Sequence, residues 1–172
     1  MRPYDCAMNH LIVFVAKYFL FISVLAVAIY WLKLQQHKKL VLAVQLVVGG
    51  VIALLLAKIG AHFYYDTRPF VSHHIKPLFA HGADNGFPSD HALLTSFLGF
   101  TMLFYSRRLG IFLLAVAVAV GAARVAAHIH SPIDIVGSFV FAAIGVGAAR
   151  FVVDEFTKRN GRRRNATGSR TG

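Results

Sequence analysis

The sequence predicts an all-α integral membrane protein, a bundle of about five to six transmembrane helices whose polar chemistry gathers at the extracytoplasmic membrane boundary. Three observations carry this. The 172 residues are 57% hydrophobic, against roughly 45–50% in soluble domains. Five apolar stretches, at 11–32, 40–61, 89–105, 110–128 and 133–153, approach the about 20 residues a helix needs to cross a bilayer. The formal net charge of +11 is concentrated at the ends of alternate apolar runs and in the C-terminal tail, which marks topology rather than a nucleic-acid partner.

The first run, 11–32, is interrupted only by Lys17, a lysine that either snorkels or marks a cavity. The run is too long for the apolar core of a signal peptide, and no small-residue cleavage site follows it, so no cleavable leader is read. Lys33, His37, Lys38 and Lys39 separate it from the second run; Arg107 and Arg108 separate the third from the fourth. The fifth run leads into Arg150, Lys158, Arg159, Arg162, Arg163 and Arg164. By the positive-inside rule these three basic segments are cytoplasmic. The N-terminus, the long loop 62–88 and the short connection 128–132 then share the opposite side. Residues 1–156 read as one transmembrane domain without repeats, and 157–172 as a basic, disordered cytoplasmic tail against anionic lipid. The Asn165-Ala166-Thr167 sequon in that tail is a chance match. A single cysteine, Cys6, excludes an intrachain disulfide. The small-residue pattern GSFVFAAIGVGAA in the fifth run predicts close helix packing, within the monomer in preference to a homodimer.

The polar residues of the outer face fall in three clusters, HFYYDTRPF (62–70), FPSDH (87–91) and ARVAAHIHSPID (123–134), each where an apolar run begins or ends. Ser89, after Pro88, is an N-cap whose free amides and positive dipole end favour an anion. Ser131-Pro132-Ile133-Asp134 is a second capping sequence with proline at the first helical position. Capping alone explains neither the histidines at 91 and 130 nor Arg124 within an apolar helix end. A phosphoryl-transfer site without a metal needs cations on the nonbridging oxygens, amide donors, a nucleophile and an acid. Arg68 and Arg124 can clamp phosphate through their planar forks, with Ser89 and the neighbouring amides adding hydrogen bonds. Asp134, four residues after His130, can hold one imidazole nitrogen and leave the other as nucleophile. His91 remains as general acid.

These residues resemble the signature of the type 2 phosphatidic acid phosphatase superfamily, whose three parts are lysine, six residues, Arg-Pro; Pro-Ser-Gly-His; and Ser-Arg, five residues, His, three residues, Asp. Here the parts stand as Arg68-Pro69, Pro88-Ser89-Asp90-His91, and Arg124, His130 and Asp134 at the family spacing. The resemblance implies that His130 forms a phosphohistidine, Asp134 orients it, His91 protonates the leaving group, and Arg68, Ser89 and Arg124 bind phosphate. No cofactor and no metal are implied. Three positions depart from the pattern. Ala61 stands where the lysine belongs, leaving Lys58, one turn earlier, or His62, next door, as the replacement cation; Ala123 replaces the serine; and Asp90 replaces the glycine.

FPSDHA, after ADNG and a preceding RPFV segment, is similar to the bacterial undecaprenyl-diphosphate phosphatases of the bacitracin-resistance type. That resemblance implies a multi-pass protein of the bacterial plasma membrane, acting from its outer side on undecaprenyl diphosphate or a related lipid phosphate and recycling the carrier for cell-wall synthesis. Asp90 is then expected to turn from the anion and pair with Lys58, His62 or Arg68. Three alternatives stay open. Other lipid phosphates, such as phosphatidylglycerol phosphate, phosphatidic acid or lipid A, share the same reaction centre. A lipid-diphosphate-binding protein would lack turnover. A zinc-binding protein or transporter would use the histidines at 62, 73, 74, 81, 91, 128 and 130 with Asp84.

Overall fold

The computed structural model describes the backbone of residues 3–168 and the side chains of residues 6–155. Six helices follow in order: α1 (Pro3–Leu32), α2 (Gln36–Phe63), α3 (Pro69–Ser72), α4 (Asp90–Leu103), α5 (Arg107–Ala126) and α6 (Pro132–Gly168). Proline opens α3 and α6, where its missing N–H costs no hydrogen bond and its fixed φ suits the first turn. Ser106 caps α5 by accepting from the Leu109 amide. The side chains of the basic tail at 157–172 lie outside the described residues.

Among the described residues, four helices are long and apolar enough to cross a membrane: Cys6–Leu32, Gln36–Phe63, Arg107–Ala126 and Pro132–Glu155. The third predicted run, 89–105, also forms a helix. Its helix, α4, has 14 residues, about 21 Å at 1.5 Å per residue, which is short of the hydrocarbon thickness of about 30 Å. It need not face lipid along its length, because it is the central helix. Ala92, Leu93, Thr95, Ser96, Phe97, Leu98, Thr101 and Met102 are all buried, against α1, α5 and α6. Its polar residues Thr95 and Ser96 return their hydroxyls to backbone carbonyls one turn earlier, so their burial leaves no donor unmet.

Small residues set the spacing of the bundle. A Cβ added at Gly145 would lie 2.7 Å from the Gly49 carbonyl and 2.9 Å from Ala53 Cβ, so α6 and α2 approach nearly backbone to backbone. The expected close packing of the last helix is therefore realised inside the monomer. The core assembles from Val27, Leu42, Ala53, Leu93, Phe97, Met102, Leu113 and Val146.

The two ends of the bundle differ. At one, a polar knot joins Tyr30, Gln45 and Tyr105: Tyr105 donates to Gln45 at 2.9 Å, and Tyr30 donates to the Tyr105 carbonyl at 2.9 Å. At the other end, loop 64–89 and the connection 127–131 fold over the helix ends, joined by Phe70 N–H to the His128 carbonyl and Leu78 N–H to the Ala127 carbonyl. α1 and α2 scarcely touch. An apolar groove of about 920 Å³ lies between them and α4, with Trp31 low in it and Lys58 and Asp90 at the loop end.

Candidate functional site

His130 reaches the site through the way α5 stops. Ala127 caps the helix, His128 turns left-handed at φ 63°, and the Ile129 and His130 amides both return to the Arg124 carbonyl, at 3.2 and 3.4 Å. This C-terminal turn is of the kind that closes helices through a left-handed residue. It folds His130 back beside Arg124, the last basic residue of α5. Pro132 then starts α6. Asp134, in its first turn, accepts the Ser131 amide at 2.8 Å, the reach-back half of a capping box.

Both nitrogens of His130 have defined neighbours. Nδ1 faces two acceptors, the Gly86 carbonyl at 2.9 Å and Asp134 Oδ2 at 3.1 Å. Nε2 faces two guanidinium donors, Arg124 Nη2 at 3.2 Å and Arg68 Nη1 at 3.4 Å. Acceptors around Nδ1 and donors around Nε2 fix the neutral tautomer with the proton on Nδ1 and the lone pair on Nε2. Burial, with the ring 2% exposed, pulls the imidazole below its ordinary pKa of 6.5. The Asp134 hydrogen bond works against that, and the Arg124 and Arg68 charges work with it. The ring is thus a neutral base near pH 7, with its lone pair between two cations.

The arginines are themselves held. Arg68, the N-cap of α3, donates Nε to Asp84 at 3.0 Å, Nη1 to the Ile129 carbonyl at 3.2 Å and Nη2 to the Asn85 carbonyl at 3.2 Å. The Thr67–Asn85 bridge, with the Asn85 side chain bonded to the Asp66 and Phe87 amides, ties the two strands of this loop together. Arg124 donates Nη1 to the Ala16 carbonyl of α1 at 3.5 Å and shares Nη2 with His81 Nε2 at 3.1 Å. Burial first, then the Arg68 and Arg124 charges, lower the His81 pKa, so that ring also accepts in neutral form. Behind His130, the Ser131 hydroxyl donates to Asp66 Oδ2.

Ser89 occupies the N-cap of α4 as predicted, but its side chain makes no capping bond. Its hydroxyl is fully buried and, among the described residues, neither it nor Arg124 Nε has a hydrogen-bond partner. An unmet buried donor costs roughly 1–3 kcal/mol, and here both donors accompany the free amides of the α4 N-terminus, where an anion is favoured. The arrangement suits a phosphoryl group beside His130 Nε2. Phe87 anchors the loop ahead of Ser89, its ring filling the space a side chain at Gly137 would need, 2.3 Å from the ideal Cβ.

Loop and helix folding bring Arg68, Ser89, Arg124, His130 and Asp134 into one buried cluster, with half-buried His91 on the first turn of α4 within electrostatic reach of Arg124, His130 and His81. Lys58 and His62 do not join it. Lys58 is exposed on α2 beside the apolar groove, and His62 is exposed with its ring against Phe63, 5.2 Å between centroids. Asp90 is also exposed, at the groove, and among the described residues it has no ion pair with Lys58, His62 or Arg68. Arg68 pairs with Asp84 instead, because the Thr67–Asn85 bridge holds that carboxylate against the guanidinium. Sequence reasoning missed His81 and Asp84 as partners of the arginines, having weighed them only as metal ligands. Among the described residues, no group of three or more His, Cys, Asp or Glu side chains is placed to hold a metal ion.

Fold and site together define a class: a multi-pass helical membrane protein with a carboxylate-backed histidine set between two buried arginines. Comparison with known proteins places it further. The chain belongs to the PAP2 superfamily, which matches residues 40–158, and is a phosphatase by that membership. It is 31% identical over 146 residues to the bacitracin transport permease protein BcrC of Bacillus licheniformis, covering 84% of this chain and 70% of that protein. The undecaprenyl-diphosphatase BcrC of Bacillus subtilis is 29% identical, over 84% of this chain and 74% of its own. The crystal structure of a transmembrane PAP2 type phosphatidylglycerolphosphate phosphatase from Bacillus subtilis superposes with a TM-score of 0.61 at 19% identity, covering 92% of this chain and 79% of that one. At that identity the likeness concerns the fold.

Proposed function

We propose that the protein hydrolyses undecaprenyl diphosphate to undecaprenyl phosphate and inorganic phosphate, returning the lipid carrier to cell-wall synthesis and lowering sensitivity to bacitracin. One observation carries the reading: the His130 lone pair lies between Arg68 and Arg124 while its other nitrogen is held by Asp134 and Gly86. The similarity to relatives named for undecaprenyl-diphosphatase and bacitracin directs the choice of lipid.

In this mechanism the terminal phosphate sits on Arg68, Arg124, Ser89 and the α4 amides. His130 Nε2 attacks its phosphorus; the P–N bond forms as the bridging P–O bond breaks, and the electron pair leaves on the lipid phosphate. Burial and the Arg124 charge lower the His91 pKa to about 4, and the negative charge of the bound diphosphate offsets them, so that the ring takes up a proton as the substrate binds and gives it to that oxygen. His91 then takes a proton from water, which attacks phosphorus, and the P–N bond breaks to give inorganic phosphate and neutral His130. Asp134 holds the Nδ1 proton throughout and offsets the charge on the ring while phosphate is attached.

The groove between α1, α2 and α4 supplies the lipid's approach, ending at Asp90 beside Ser89. We assign the site end to the extracytoplasmic side of the bacterial plasma membrane, because the opposite end carries Lys33, Lys38, Lys39, Arg107 and Arg108. The test is phosphate release by purified protein in detergent with chelator present, from undecaprenyl diphosphate, phosphatidylglycerol phosphate and phosphatidic acid in turn. The expected result is the highest kcat/KM on undecaprenyl diphosphate. A higher value on either glycerolipid would move the assignment to that substrate, and binding without release would make this a lipid-diphosphate receptor.

A further inference from the structure

Lys17 is a cation the mechanism has not used, and its position is specific. Its helix runs past the site: the Arg124 bond to the Ala16 carbonyl sets residue 16 of α1 level with the arginine cluster. Ala16 lies ten residues inside a span that starts at Cys6, so this level is roughly 15 Å in from the start of that span. A lysine at such depth needs a partner or a function. Among the described residues Lys17 has no carboxylate partner. Its ammonium instead rests 4.5 Å from the centroid of Phe79, whose ring lies 6.5 Å from that of His81, the residue bonded to Arg124.

Helical periodicity places Lys17 on a particular face. Residues seven apart on an α-helix share a face, so Lys17 stands in line with Val24 and Trp31, both of which line the apolar groove between α1, α2 and α4. It is about 10 Å beyond Val24 along the axis, toward the groove's loop end where Lys58 and Asp90 line it. A lipid with its tail in the groove and its terminal phosphate on Arg68 and Arg124 would carry its inner phosphate past Lys17. Arg68 and Arg124 are both committed to the His130 neighbourhood. Lys58 and His62 lie outside it.

We propose that Lys17 binds the lipid-side phosphate of a prenyl diphosphate and selects diphosphate over monophosphate lipids. This rests on the lipid-diphosphate reading above. The ammonium swings from the Phe79 ring to the inner phosphate on its flexible stem. When His130 attacks the terminal phosphorus and the bridging P–O bond breaks, the electron pair arrives on the group Lys17 holds, so the same residue stabilises the departing lipid phosphate.

The test compares the native protein with Lys17→Met, Lys17→Gln and Lys17→Arg in detergent. Two quantities are measured: kcat and KM for a prenyl diphosphate, and the inhibition constant of a prenyl phosphonate of equal tail length, which carries one phosphoryl group. Met and Gln are expected to raise KM for the diphosphate roughly tenfold or more, as loss of a charged hydrogen bond does, with the phosphonate's inhibition constant moving by less than about threefold, and Arg to recover most of the KM. Unchanged KM in the Met and Gln variants would overturn the proposal. So would an equal loss of phosphonate affinity, which would give Lys17 a structural or terminal-phosphate role. Failure of the native protein to release phosphate from the diphosphate would instead sink the functional reading on which the proposal rests.

Discussion

Replacing Asp134 by asparagine probes the charge behind His130 while keeping the shape. Asp134 is completely buried, and its Oδ2 accepts from both the Ser131 amide at 2.8 Å and His130 Nδ1 at 3.1 Å. Two donors at that position force the asparagine carbonyl to stay there, and turn its NH2 to the side where, among the described residues, Oδ1 has no partner. The geometry therefore survives and the charge is lost. In serine-protease triads the equivalent change is worth about 10⁴ in kcat because the imidazole takes the wrong tautomer. Here the Gly86 carbonyl, 2.9 Å from the same Nδ1, still holds the proton there. The remaining loss is the charged part of one hydrogen bond, about 1.5–3 kcal/mol, which corresponds to roughly a 10- to 150-fold lower kcat. Steady-state phosphate release in detergent measures it, with KM near native. A kcat within twofold of native would refute the role of the carboxylate charge. A fall of about 10⁴ would refute the argument that Gly86 preserves the tautomer.

Other consequences can be checked alongside. Ser89→Ala removes a buried hydroxyl without a partner, so thermal stability in detergent should stay level or rise while kcat/KM falls about tenfold; a clear loss of stability would mean the hydroxyl is bonded in the resting protein. His130 is held below its ordinary pKa of 6.5 by burial and the two arginines. The unfolded chain therefore takes up the proton first, and this group's contribution to stability is complete above 6.5 and lost as pH falls below it. Melting temperature should decline across that window more steeply in the native protein than in His130→Gln, and equal slopes would contradict the lowered pKa. Gly137→Ala puts a Cβ 2.3 Å from the Phe87 ring, which should destabilise by about 1–3 kcal/mol; thermal unfolding should show partial recovery in the double variant with Phe87→Leu, and no recovery would place the strain elsewhere.

How much of this was legible in the sequence depends on the range of each interaction. His130 and Asp134 are four residues apart, and local geometry alone makes their contact readable. Arg68 meets His130 from 62 positions away, and there the motif resemblance carried what spacing could not. Where neither helped, the reading failed. His81 and Asp84 sit in a loop without periodicity, and their partners were set by the Thr67–Asn85 bridge and the return of loop 64–89 across the helix ends. Lys58 was expected near phosphate because it lies one turn from Ala61, but one turn moves a side chain along the axis as well as around it, and α2 presents Lys58 to the apolar groove. A helix shielded by its neighbours is as apolar as one facing lipid, so hydropathy does not separate the two.

The central claim is a covalent bond between His130 and phosphate, and intermediate trapping tests it most directly. Protein mixed with undecaprenyl diphosphate carrying labelled terminal phosphate, quenched in alkali within the first turnover and digested, should carry the label on the peptide containing His130. The label should be lost in acid and absent from His130→Ala. Label on another residue, or full turnover by His130→Ala, would contradict the account.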